Sequence, residues 1–144
     1  MAGTGYDWSA WAFVQDADPS DWSAEALADN ATEISGAAIS LDGKAACIVG
    51  VGMLENTGAI DGVIAVYVLG ETDVAYEEVG ATIAAPVGSP WNFSITPVAS
   101  DTVYKQFSID PKYYDNFKIA IRNESGQSLA MTVKYKTATI PLAS

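Results

Sequence analysis

The chain has no histidine and a single cysteine, Cys47. The missing imidazole removes the most common general base, the Ser-His and Cys-His nucleophile pairs, and most catalytic zinc sites. One cysteine excludes an intramolecular disulfide. Cys47 sits in the apolar run 45–49 and reads as a small buried hydrophobe, with Lys44 as the one nearby group able to activate a thiol. Basic residues are also scarce: seven Lys and Arg stand against eighteen Asp and Glu, for a net charge of −11. A nucleic-acid binder needs cations to displace counterions from phosphates, so this balance argues against that partner. Charged residues of both signs total 17% of the sequence, below the usual ~25%. A low charge content points to a chain that buries more than a monomer normally does, or whose surface is partly covered. No segment approaches the roughly 20 consecutive apolar residues of a membrane helix. The N-terminus, MAGTGYDWSAW, has neither a basic region nor a long apolar stretch, so no signal peptide is expected.

The remaining route to catalysis is a pair of carboxylates, as in glycosidases. Among eighteen acids some pair reaches a suitable separation by chance. Most of them fall in loops, where solvation explains them, and no catalytic residue is assigned. Asp16, Asp18 and Asp21, with Glu25 beyond, offer oxygens to a calcium ion. They lack the loop length, central glycine and terminal glutamate of an EF-hand, and helix capping accounts for Asp18 and Asp21. Gly50-Val51-Gly52 lies inside a strand pattern rather than at a strand-to-helix junction, so it is not a phosphate loop. The expectation is a non-enzymatic protein with no metal and no cofactor. Sequons at Asn30, Asn92 and Asn123 read as turn chemistry.

What the chain does have is unevenly placed. From Met1 to Tyr104 there is one base, Lys44, against fifteen acids; from Lys105 onward there are six bases against three acids. Such segregation fits complementary faces on neighbouring molecules, or lysines that protect an exposed strand pair. Three of the four tryptophans, Trp8, Trp11 and Trp22, fall in the first thirty residues, which also contain the short echo Asp7-Trp8-Ser9-Ala10 and Asp21-Trp22-Ser23-Ala24. With Phe13 they serve as packing onto a core, as interface anchors, or as a sugar-stacking platform, in that order of expectation.

The organisation expected is an aromatic arm over 1–30 followed by a β-domain over 31–144. Asp18 as N-cap, Pro19 at the first helical position and the run 22–28 predict one two-turn helix. From Ala31 the pattern is strand after strand: 32–41, 44–54, 62–69, 91–98, 103–110, 117–122 and 128–140. Asp42-Gly43 and Asn123-Glu124-Ser125-Gly126-Gln127 read as hairpin turns, Asn56-Thr57-Gly58 as a further turn, and 70–80 as an acidic loop. Strand 62–69 is apolar on both faces, so it is central, or covered on one side by a partner subunit. The class expected is all-β, an antiparallel β-sandwich of jelly-roll or immunoglobulin-like type with one short helix.

Period-two alternation in the last two strands separates Phe117, Ile119 and Ile121 from Lys118 and Arg122, and Met131, Val133 and Tyr135 from Lys134 and Lys136. Read as one hairpin, they gather Lys118, Arg122, Lys134 and Lys136 on a single solvent face. These four and Trp8, Trp11 and Trp22 are the candidate partner-binding residues.

In this layout, an aromatic arm to about Asn30 and a compact β-domain closed by Phe117–Gln127 and Met131–Lys136, the chain resembles small β-sandwich structural proteins of tailed-phage virions, of the head decoration or cement type. The resemblance implies a protein that forms homo-oligomers, often trimers in that group, and binds a capsid protein. It implies a virion location on the capsid surface, after synthesis in the host cytoplasm, with no nucleic acid or membrane as partner. The alternative is a carbohydrate-binding or receptor-binding β-sandwich module of a phage tail.

Overall fold

A computed structural model of the protein describes residues 5–15, 21–55, 62–71, 92–95, 102–112 and 114–140. The strands are β1 (Asp7–Trp8), β2 (Ala12–Phe13), β3 (Glu25–Leu27), β4 (Thr32–Ile34), β5 (Ile39–Ser40), β6 (Ala46–Glu55), β7 (Val63–Gly70), β8 (Asn92–Ile95), β9 (Thr102–Ile109), β10 (Asn116–Glu124) and β11 (Leu129–Thr139). Among the described residues there is no helix. Two antiparallel sheets enclose one apolar core, a β-sandwich.

The first sheet is organised around β11. Strand β6 pairs along one of its edges, from Leu129↔Glu55 to Ala138↔Ala46, and β9 follows β6. The opposite edge of β11 is covered in three pieces by the N-terminal segment: β3, β2 and β1. In the second sheet β10 is central, with β4 and β5 on one side and β7 then β8 on the other.

The core follows from strict alternation. On β6 the side chains of Cys47, Val49, Val51 and Met53 are buried. Phe117, Ile119 and Ile121 from β10 meet Met131 and Val133 from β11 in the same cluster. Full burial of side chains of this kind is worth about 1.5–3 kcal/mol each relative to exposure. Strand β7 is buried on both faces: Ile64, Val66 and Val68 join the central core, while Ala65, Tyr67 and Leu69 form a second cluster with Ala120 on the other side of the sheet. It is therefore a central strand of its sheet, between β10 and β8.

The helix expected over 22–28 does not form. Trp22 donates its N–H to the Val14 carbonyl and accepts from the Val133 N–H, Ala24 takes a left-handed φ of 57°, and Glu25–Leu27 pair with β11. A run without glycine, proline or β-branched residues is a weak helical preference. Here the otherwise open edge of β11 and the complete burial of Trp22 and Leu27 outweigh it. The proposed cap, Asp18-Pro19, lies outside the described residues, as do Asn56-Thr57-Gly58 and most of the acidic segment 70–80.

The two turn signals reverse the chain but do not make hairpins. Gly43 has a φ of 70°, and Lys44 N–H donates to the Leu41 carbonyl at 3.0 Å. The turn nevertheless carries the chain from β5 in the second sheet to β6 in the first. Residues 125–127 likewise carry it from β10 to β11, across the sandwich. Both edges of β10 and both edges of β11 already hold other strands, so the two cannot pair with each other.

The second crossover is held by a buried polar knot. Asn123 Nδ2 donates to the Leu27 carbonyl at 3.0 Å and to the Gln127 carbonyl at 2.7 Å. Its Oδ1 accepts from Ser125 N–H at 3.0 Å and from Ser125 Oγ at 2.7 Å. The backbone of Asn123 pairs with Asn30 N–H and the Ala31 carbonyl, and Asp29 Oδ1 accepts from Gly126 N–H, whose residue has a φ of 89°. Asn123 is fully buried, so the sequon it heads is closed in the folded chain. Asn123→Ala should leave several buried polar groups without partners and lower stability by about 3 kcal/mol. A urea unfolding series reads this as a drop in midpoint without a change in slope.

Candidate binding face

The outer face of the first sheet carries the residues that β6, β9 and β11 turn away from the core. On β11 these include Thr132, Lys134 and Lys136. On β6 they include Gly50 and Gly52, which pair across with Gln106 and Tyr104 of β9. The registers Trp8↔Ala138 and Phe13↔Lys134 set two aromatic side chains of the arm on this same face.

Aromatic rings and lysines interleave there. The Lys136 ammonium lies 4.9 Å from the ring centroids of both Trp8 and Trp11, and the Lys134 ammonium lies 4.9 Å from that of Phe13. Each such contact is worth about 0.5–1 kcal/mol at an exposed site. Tyr6 meets Trp8 edge-on at 6.2 Å. Between the arm and β9 lies a groove of about 480 Å³. Trp11 lines one side and Tyr104 the other. A Cβ placed on Gly50 would lie 3.7 Å from the distal edge of the Trp11 ring, and one on Gly52 would lie 3.0 Å from Tyr104 Cε1. At Gly52 the absent side chain is what lets the Tyr104 ring rest on the sheet, whereas at Gly50 a Cβ would make only ordinary contact with Trp11. A second hollow of about 410 Å³ lies on the same face between Trp8 and Ser108.

Four of the seven candidate residues, Trp8, Trp11, Lys134 and Lys136, are thus brought together. Trp22 is not among them. It is completely buried in the core, and its indole N–H has no acceptor among the described residues. Lys118 and Arg122 are not among them either. They belong to β10 in the other sheet, so the single four-cation patch expected from a hairpin is two pairs on opposite sides of the sandwich. Arg122 is engaged locally: its Nε lies 3.2 Å from Glu124 Oε1, and Nη1 donates to Thr32 Oγ1 at 3.3 Å. Burial, followed by the nearby Glu124 carboxylate, raises the Tyr67 phenol above its ordinary range, and Arg122 opposes that rise.

Sequence reasoning missed Tyr104 and Gln106. The alternating glycines of β6 lie on the outer face, where the Trp11 and Tyr104 rings approach them.

Cys47 is buried in the core, and burial pushes its thiol from 9.0 up to about 12. The folded chain therefore holds a thiol where the unfolded chain begins to hold a thiolate. This contribution to stability is complete below pH 9.0 and is lost as pH rises toward about 12. Of the carboxylates considered for calcium, Asp16 and Asp18 lie outside the described residues; among the described residues no three His, Cys, Asp or Glu side chains group as metal ligands.

No protein-family model matches the chain, and no curated protein matches its sequence. Among solved structures it is similar to a CBM4 chain at 10% identity and a TM-score of 0.43, covering 75% of this chain and 61% of that one. It is similar to a Family 16 Carbohydrate Binding Module-2 at 10% identity and a TM-score of 0.43, covering 75% of this chain and 70% of that one. A chain of the Cowpea Mosaic Virus empty virus-like particle aligns at 11% identity and a TM-score of 0.36, covering 100% of this chain and 88% of that one. At these scores none of the three carries an argument about function.

Two outcomes test the placement of the tryptophans and the thiol. Trp22→Ala should cost about 3–5 kcal/mol, as expected for emptying a core site, whereas Trp11→Ala should stay within about 1 kcal/mol of the parent; thermal unfolding separates them. Cys47 should remain unreacted toward a thiol reagent such as Ellman's reagent at pH 8 and become reactive on unfolding in urea.

Proposed function

We propose that the protein is a non-enzymatic structural protein of a virion surface, of the capsid decoration type, and that it works by binding through the outer face of its first sheet. The observation that carries the binding role is the concentration of features on that face. Of the five large hydrophobic side chains exposed among the described residues, Tyr6, Trp11 and Tyr104 all line it. Lys134 and Lys136 stand among them in a chain of net charge −11. The reading as a non-enzyme is supported by the sequence's lack of histidine and by the burial of its one thiol. The virion setting rests on the sequence layout: the aromatic arm, which here is stitched to β11, and the compact β-domain that follows. The alternative, a carbohydrate-binding or receptor-binding module of a tail, would use the same face and differs in where on the particle the protein sits.

The purified protein should form a symmetric oligomer by light scattering and should co-sediment saturably with capsid shells. A monomeric mass at the highest attainable concentration, together with no co-sedimentation, would sink the virion reading. Co-purification with tails rather than heads would select the alternative.

A further inference from the structure

We infer that the groove between Trp11 and Tyr104 is a binding site for an anionic polysaccharide, a chain of sugar rings bearing scattered carboxylate or sulfate groups. This rests on the reading that the outer face of the first sheet is the working surface, and it names the ligand class.

Charge points to an anion. The chain carries eighteen acids, yet the described residues lining this groove include Lys134 and no acid. Lys136 stands beside it between Trp8 and Trp11. Among the described residues neither Lys134 nor Lys136 forms an ion pair, whereas Arg122 on the opposite sheet is paired with Glu124. A local positive field on an acidic protein is a recognition feature for a ligand of the opposite sign.

The rings point to sugar. Tyr104 is 75% exposed and Trp11 40% exposed, while Trp22 in the same chain is completely buried. Their rest points, Gly52 and Gly50, are two residues apart on one strand, or about 6.7 Å. Two separated aromatic plates on one line suit the apolar faces of successive rings in a chain. Gln106 and Thr132, also in the groove, supply amide and hydroxyl groups for ring hydroxyls. The trough is open and crosses three strands, so a polymer can run through it. A single-stranded nucleic acid also stacks on aromatic side chains. Its affinity, however, comes chiefly from neutralising closely spaced phosphates, for which two lysines on a strongly acidic protein are too few.

Affinity electrophoresis of the full chain through gels containing alginate, polygalacturonate or chondroitin sulfate tests this, with dextran and hydroxyethylcellulose as neutral comparisons. Mobility should fall in at least one acidic gel and be little changed in the neutral ones; the uronate and sulfate arms show which anion is preferred. Tyr104→Ala and Trp11→Ala should each weaken binding by about tenfold, the scale of one lost stacking platform. Lys134→Gln should weaken it less and flatten its salt dependence. Gly52→Val, which displaces the Tyr104 ring, should reproduce the loss with Tyr104 intact. Circular dichroism melts confirm that each variant is folded.

The inference is overturned by no retention in any acidic gel, by equal retention in neutral gels, by unchanged retention of both aromatic variants, or by preferential binding of a single-stranded oligonucleotide. Shell co-sedimentation run alongside keeps the two readings apart. Loss of shell binding in the aromatic variants, with no glycan retained by the parent, makes the face a protein interface and overturns this inference alone. Glycan retention without shell binding supports it and removes the virion setting instead.

Discussion

Strand β11 is the element on which the rest of the structure depends, because both of its edges must be covered for its backbone groups to be satisfied. One edge takes β6 along nearly the whole strand. The other takes three short pieces of the first thirty residues, with Val14 and Trp22 bracketing Val133 between them. A buried or half-buried strand edge without partners would leave a row of polar groups desolvated. Covering it with the arm solves that problem and has a further result. It delivers Trp8, Trp11 and Phe13 to the outside of the sheet while Val14, Trp22 and Leu27 go into the core. The same pairing that completes the fold therefore builds one wall of the groove.

The two outer faces of the sandwich differ in kind. On the second sheet Ala65, Tyr67, Leu69 and Ala120 are buried, and Arg122 is matched by Glu124 and Thr32. That face is internally satisfied. On the first sheet Lys134 and Lys136 lie against aromatic rings, which hold a cation without neutralising it. Strand β9, at the far edge, turns Lys105 toward the core side opposite Val51, an inward charge of the sort that discourages sheet-to-sheet pairing. Together these features describe a face kept from collapsing onto its own charges and kept apart from other strands, yet left with exposed rings and cations.

Local chemistry was the legible part of the sequence. Alternation along β6, β10 and β11 identified the buried positions, because a period of two has one reading once a core exists. The doubly apolar run at β7 marked a central strand for the same reason. The turns at Asp42-Gly43 and at 125–127 were visible because glycine admits the left-handed backbone they need. Turn chemistry says where the chain reverses and nothing about which sheet receives it, so both crossovers read as hairpins. That one ambiguity put Lys118 and Arg122 beside Lys134 and Lys136. The run 22–28 was misread because its helical preference is small beside the burial of Trp22 and Leu27 against β11, a partner more than a hundred residues away in sequence.

By itself the sequence determined the all-β class, the positions of the long strands β6, β7, β9, β10 and β11, the inward set of each, and the absence of histidine-based or disulfide chemistry. These follow from composition and from short-range periodicity, which act within a few residues. The tertiary structure alone decided which strands share a sheet, that the arm is part of one of them, that Trp22 is core while Trp8 and Trp11 are surface, and that Tyr104 faces Trp11 across two glycines. Those are long-range pairings, set by which backbone edges and apolar faces remain to be covered once the chain has folded, and no local pattern encodes that choice.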